Sequence, residues 1–207
     1  MKAFKKIVFI LILLTIFIAI SAISYVSAVS KNISDGVFRL HVIANSDSEE
    51  DQNLKYIVRD NLIEYMNSLT SGITSKEEAI RIAKAHKDDF YKIAKQTIED
   101  NGYNYDVTVD IGNSYFPTKY YGDISLPAGY YDALKVKIGS ASGQNWWCVM
   151  FPPLCFVDMS TGIVPEESKE QMQESMPEEE FALISDSSSD NSLKIKFKLI
   201  EFLSPKL

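Results

Sequence analysis

An apolar run from Ile7 to Ile23, broken only by Thr15 and Ser21 and preceded by Lys2, Lys5 and Lys6, constrains this chain more than any other feature. A basic n-region followed by an h-region marks an export signal, and Val26-Ser27-Ala28 supplies the small residues a signal peptidase accepts. The run also reaches the roughly 17-residue lower limit for a spanning helix, so residues 1–28 are either a cleaved signal peptide or an uncleaved anchor. In both cases the lysines hold the N-terminus inside, and the rest of the chain is expected outside.

Removal of residues 1–28 takes away three lysines and no acid, moving the formal net charge from −7 to −10. Such a chain is a poor ligand for nucleic acid. The residues that remain suffice for one domain with a real core.

After a linker over residues 29–35, Val37–Val42 alternates Phe38, Leu40 and Val42 against Val37, Arg39 and His41, the period of a half-buried strand. Asn45–Ser48 makes a turn, and Ser48 with Asp51 forms a variant capping box. The helix that follows, over about 49–69, carries Leu54, Ile57, Val58, Leu62, Tyr65, Met66 and Leu69 on one stripe, with Arg59 and Asp60 off its centre. Ser75 and Glu78 open a second helix that runs to Asn101-Gly102, and His86 reads as a solvated position within it. The short connection predicts an antiparallel helix pair.

Tyr103–Ile111 and Tyr131–Ile138 alternate as strands, each with one solvated face. Residues 112–129 are aromatic, punctuated by Gly and Pro, and without period. They read either as a binding loop or as a tyrosine-rich edge packed on the sheet. The next hairpin arm, Gln144–Asp158, holds both tryptophans and both cysteines of the chain. Adjacent Trp146 and Trp147 face opposite sides of an extended strand, and Pro152-Pro153 must end the ladder. In an exported chain Cys148 and Cys155 read as a disulfide in preference to a metal or redox pair.

Residues 165–192 carry nine acids against Lys169 alone. They read as a solvated acidic linker with one short helix near Glu166–Met176 and disorder around 185–192. Residues 193–207 read as an amphipathic strand or helix docking back on the domain. The expected architecture is a single α+β domain over residues 36–164. Its mainly antiparallel sheet of about four to five strands packs against the helix pair, preceded by the signal or anchor helix.

No phosphate loop, catalytic triad or metal spacing is present in the sequence. His41 with Asp47 and Asp51 is the one cluster with ligand residue types, and a strand residue, a turn residue and a helix cap account for all three. The residues therefore describe an exported binding module that calls for no cofactor and no catalytic residue. The rival classes are a thiol-disulfide enzyme, another small secreted enzyme, and a membrane-tethered adaptor.

Two blocks resemble the stage II sporulation protein R family. The first is Phe38–Asp47 with Asp51-Gln52, Leu54-Lys55 and Val58-Arg59-Asp60, which includes His41, Asn45 and Ser46. The second is Leu126–Gly129, with Pro127, then Ala133-Leu134 and Asn145–Phe156. The resemblance implies a signal exported from the forespore into the space between forespore and mother-cell membranes. It further implies a partner, a membrane-bound receptor protease of aspartic type, whose activation releases a mother-cell sigma factor from its pro-sequence. The chain itself would touch the membrane only through its N-terminal segment. The surface expected to meet the receptor joins Trp146, Trp147, Phe151 and the Pro152-Pro153 turn, with Asn45, Asp47 and Asp51 as a second patch. The same tryptophans and turn also read as core and scaffold.

Overall fold

In the computed structural model, which describes residues 2–155 and 164–185, the chain is α+β. A long helix α1 (Lys2–Asp35) leads into strand β1 (Phe38–Ile43), helices α2 (Glu49–Leu69), α3 (Lys76–Ala85) and α4 (Lys87–Asp100), and strand β2 (Val107–Phe116). A small hairpin, β3 (Lys119–Tyr121) and β4 (Ile124–Leu126), precedes β5 (Gly129–Ile138) and β6 (Asn145–Phe151). Helices α5 (Glu166–Glu174) and α6 (Glu178–Ser185) follow.

The main sheet has the order β2-β5-β1-β6, with β1 parallel to β5 and the other pairs antiparallel. On one face α2, α3 and α4 cover Phe38, Leu40, Val42, Leu134, Val136, Cys148 and Met150. The local signals that start and stop these helices act as their chemistry dictates. Ser48 and Ser75 accept from the amides of Asp51 and Glu78, each at 3.2 Å. At the end of α4, Gly102 N–H and Tyr103 N–H bond back to Glu99 and Ile98 carbonyls, with Gly102 left-handed at φ 84°. This is the doubly bonded glycine stop that satisfies orphan carbonyls.

The opposite face departs from expectation. All six residues of β1 are buried, Arg39 at 0% exposure and His41 at 4%. A second apolar layer covers that face, built from Val29 and Ile33 of α1, Phe116, Ile124, Leu126, Tyr131, Val149, Met172 and Ile184. Period-2 alternation reports two chemically distinct faces, and a buried layer with polar members produces the same alternation as a solvated face.

Three further segments change with it. Residues 29–35 are the end of α1 rather than a linker: Lys76 Nζ caps the Ser34 carbonyl at 2.8 Å, and Asn32 Nδ2 donates to Glu180 at 2.7 Å. Residues 112–129 are the end of β2 plus the β3–β4 hairpin, turned at Gly122 with φ 59°, and their apolar side chains fill the second layer. Within the acidic stretch, α5 lies where one short helix is expected, and α6 is an addition whose Ile184 is buried. The expected disorder over 185–192 and the amphipathic element over 193–207 lie outside the described residues, apart from Ser185.

The second helix of the expected pair is broken at His86. Its Nδ1 sits 3.0 Å from both Asp89 Oδ2 and Tyr65 Oη, so the ring is tied into a polar triad with α2. The α2–α4 contact also includes Asn61 Nδ2 donating to Thr97 Oγ1 at 2.9 Å.

Helix α1 carries a span from Phe4 with mean hydropathy 3.0, apolar and long enough to cross a membrane. Its apolar side chains are exposed up to the last turns, where Val29 and Ile33 enter the domain. At about 1.5 Å per residue a helix of this length reaches about 50 Å, which exceeds a hydrocarbon core of roughly 30 Å.

Candidate binding groove at the edge of the sheet

Strand β6 is an outer strand of the main sheet, and the register fixes which backbone groups it spends. Ala44 N–H bonds to the Gln144 carbonyl, so by antiparallel alternation Trp146 and Cys148 pair with Val42 and Leu40. The backbone groups of Asn145 and Trp147 then point away from β1. The Trp147 carbonyl accepts from Tyr121 Oη at 3.2 Å, and the Val149 carbonyl accepts from Leu154 N–H at 3.0 Å.

Along this edge runs an open groove of about 450 Å³, lined by Lys55 and Tyr56 of α2, Lys119–Gly122 of the hairpin, Gln144–Cys148, Leu154 and Cys155. The two tryptophans take opposite faces of β6, as alternation requires. Trp146 packs at the first layer, edge-on to Tyr56 at 5.5 Å, with the Arg59 guanidinium 4.2 Å over its ring. Trp147 belongs to the second layer, stacked on His41 at 3.7 Å and meeting Phe116 edge-on at 4.8 Å. Both are partly exposed, and both line the groove.

The other residues expected at a binding surface are placed differently. Phe151 is 4% exposed in the first layer and Pro152 is buried, so neither offers a contact surface; Pro153 is partly exposed. The Phe151–Pro152 bond is cis. Cys148 and Cys155 are bonded, with Cα atoms 5.1 Å apart, and tie the segment after β6 back against the strand.

Asn45, Ser46, Asp47 and Asp51 knit the β1–α2 loop to the β5–β6 turn. Asn45 Oδ1 accepts from Ser140 N–H at 2.9 Å, and the Asn45 carbonyl accepts from Ser142 N–H and from both serine hydroxyls. Asp47 Oδ1 accepts from Gln144 N–H at 2.7 Å, holding the start of β6. Asn45 Nδ2 and Ser46 Oγ both donate to Asp51 Oδ2, at 2.8 and 2.5 Å. Burial acts to raise the Asp51 carboxyl, and these hydrogen bonds outweigh it to hold the group below its ordinary value. Gly139 and Gly143 are required by the same clasp. A Cβ on Gly143 would stand 2.1 Å from the Ser46 carbonyl oxygen, and one on Gly139 would strike Asn45 Oδ1.

His41 lies behind the groove. Its Nε2 is 2.6 Å from Asn145 Oδ1, which makes Nε2–H the donor, and Nδ1 finds no partner among the described residues. Burial pushes this imidazole down to about 4; the Asn145 bond opposes the shift, while Lys135, Arg39 and Lys137 add to it. The ring is therefore neutral at ordinary pH. Asp51 is spent on Asn45 and Ser46, and no group of three His, Cys, Asp or Glu side chains among the described residues is placed to hold a metal ion.

Arg39 is the residue whose role sequence reasoning missed. Read as the solvated side of a strand, it is fully buried, with its guanidinium 4.0 Å over Phe116, 4.7 Å over Tyr131 and 5.9 Å over Tyr121. Its Nη2 donates to Tyr121 Oη at 2.6 Å, while Nε and Nη1 have no hydrogen-bond partner among the described residues. Tyr121 in turn lines the groove. The signal available in the sequence was an arginine between Phe38 and Leu40 together with the aromatic excess of residues 112–131.

The remaining residues of the two sequence blocks are also positioned by these elements. Arg59 pairs with Asp60 at 2.6 Å while covering Trp146. The Pro127 carbonyl accepts from Tyr131 Oη at 2.6 Å, and Gly129 opens β5.

Comparison with known proteins places these observations in a family context. The family described as Stage II sporulation protein R (spore_II_R) matches residues 34–161. A curated relative, Stage II sporulation protein R of Bacillus subtilis (strain 168), is 37% identical over 183 residues, covering 83% of this chain and 82% of that protein. No solved structure matches.

Proposed function

The chain belongs to the stage II sporulation protein R family, and from that premise we propose that it is an exported signal of endospore formation. In this reading its N-terminal segment directs export across the forespore membrane, as a cleaved signal peptide or an uncleaved anchor, and the domain stands in the space between forespore and mother cell. There it binds the extracytoplasmic face of a membrane-embedded aspartic-type protease. The bound protease is shifted to its active state and removes the pro-sequence of a mother-cell sigma factor. A ligand shifts such an equilibrium only by binding the active state better than the inactive one.

The observation that carries this reading is where the second family block falls. Asn145–Phe151 forms the outer strand that walls a surface groove, with both tryptophans on it. Asn145, Trp146 and Trp147, the exposed and partly exposed residues of that strand, line the groove, and the two tryptophans are aromatic anchors of the kind that dominate binding energy. The one imidazole near them is neutral, buried and committed to Asn145.

The test is expression of the full chain, with its export segment, in a non-sporulating host together with the candidate protease and its pro-protein substrate. Cleavage that appears only when the chain is present is the expected result. Absence of cleavage, with chain and protease both folded and in their membranes, contradicts the proposal.

A further inference from the structure

The groove is positive on an acidic protein. Among the described residues its lining includes Lys55 and Lys119 and no carboxylate, although the chain carries a net charge of −7. Lys119 makes no ion pair among the described residues, and burial, then the proximity of Arg39, lowers its ammonium from the ordinary value. Lys55 is 1% exposed, bonded to Gln52 and the Gln144 carbonyl, and lowered by burial and by Arg59. Behind the Tyr121 wall stands Arg39, a fully buried guanidinium with no carboxylate partner among the described residues. Asp123, next to the hairpin turn, pairs with Lys169 at 2.7 Å, and Asp47, which accepts from Gln144 N–H, partly offsets the lowering of Lys55 by its charge. Three cations of this kind, held by low-dielectric walls, focus a positive potential into the cleft.

The floor of the same groove is a strand edge. Asn145 and the Trp147 N–H present outward backbone groups that β1 does not use. An unpaired edge is a template for an added strand, and flanking side-chain pockets then supply specificity.

From these two observations together we infer that the β6 groove takes an extended segment of the partner protein that carries a carboxylate. The segment pairs its backbone with Asn145 and Trp147, and its acidic side chain meets the partly exposed Lys119, with Lys55 adding its charge from beneath the surface. The inference rests on the reading of the chain as an activator that binds its target, and it adds where the target docks and by what chemistry. An anionic lipid would satisfy the charge but would leave the strand edge unpaired, so the segment is assigned to a protein.

The experiment measures association of the detergent-solubilised full chain with the candidate protease, alongside substrate cleavage in the co-expression host. Three forms are compared: wild type, Lys119→Glu, and Lys55→Met, which keeps the volume of the buried side chain. Association of the wild-type chain is expected to weaken as salt rises from 0.1 to 0.5 M. Lys119→Glu should bind at least tenfold more weakly, and Lys55→Met severalfold more weakly, with thermal unfolding of both unchanged within a few degrees. Wild-type binding and cleavage by both folded variants would overturn the groove assignment and leave the activator reading intact. Absence of cleavage with the wild-type chain would instead remove the activator reading. A loss in Lys119→Glu confined to binding of phosphatidylglycerol vesicles, with protease binding unchanged, would also overturn the assignment.

Discussion

Leu40 and Arg39 are neighbours on β1, equally buried, and belong to layers of different character. The layer under Leu40, whose buried apolar side chains are aliphatic, phenylalanine or sulfur-containing, is closed by three consecutive helices whose stripes and caps are local in sequence. The layer over Arg39 holds a buried cation, a neutral histidine and several aromatic rings, and is closed by segments from both ends of the described chain. The first layer supplies stability by area removed from water. The second carries polar groups whose burial costs free energy, and it ends at the groove. The buried cation of this layer stands directly behind Tyr121, which lines the groove, so its charge bears on the surface beside it.

The largest effect should come from breaking the first layer. Leu40→Ala is expected to lower the unfolding free energy by about 4 kcal/mol, the transfer and cavity cost of a fully buried leucine, measured by denaturant unfolding of the solubilised chain. A loss below about 1 kcal/mol would mean that β1 is not the centre of the core.

Acid should next find the second layer. The folded chain holds His41 near 4 against an unfolded value of about 6.5, so the unfolded chain takes up this proton first as pH falls. The contribution is whole above about pH 6.5 and is lost progressively down to about pH 4, on the order of 3 kcal/mol in all. His41→Gln, compared with wild type over that range by unfolding midpoints, should flatten the slope. An unchanged slope would place the titration elsewhere.

Removing a cap is a smaller perturbation of the first layer: Ser48→Ala should cost about 1 kcal/mol, the usual worth of an N-cap hydroxyl, measured in the same way. The smallest change in stability is expected at Arg39. Replacing a lone buried cation by an apolar side chain of similar length removes a desolvation penalty, so Arg39→Met should unfold within about 1 kcal/mol of wild type or more stably. A loss above about 3 kcal/mol would show that the aromatic box around the guanidinium is a stabilising device rather than a retained charge.

The same two layers explain how much was legible in the sequence. Caps at Ser48 and Ser75, the stop at Asn101-Gly102 and the stripe through Leu54, Val58, Leu62 and Met66 depend on residues a few positions apart, and they appear where the pattern puts them. The opposed tryptophans and the bonded cysteines were legible for the same reason. Arg39 and His41 were misread because alternation distinguishes two faces without saying what covers the second. The cover comes from Ile33, Phe116 and Ile184, far apart in sequence. Phe151 and Pro152 were assigned to a surface that the turn buries, and Asn45, Asp47 and Asp51 are bonded within a loop clasp. The groove required both the register of β6 and the position of the hairpin, neither of which a local pattern states.

The measurement that bears most directly on this account is residue-resolved amide exchange along β6, in the free chain and in its complex with the protease. In the free chain the Trp146 and Cys148 amides, bonded to β1, should exchange slowly, and those of Asn145 and Trp147 should exchange fast. Complex formation is predicted to slow Asn145 and Trp147 by at least tenfold. An activated complex in which those two amides exchange as fast as in the free chain would contradict the assignment of the β6 edge as the docking surface.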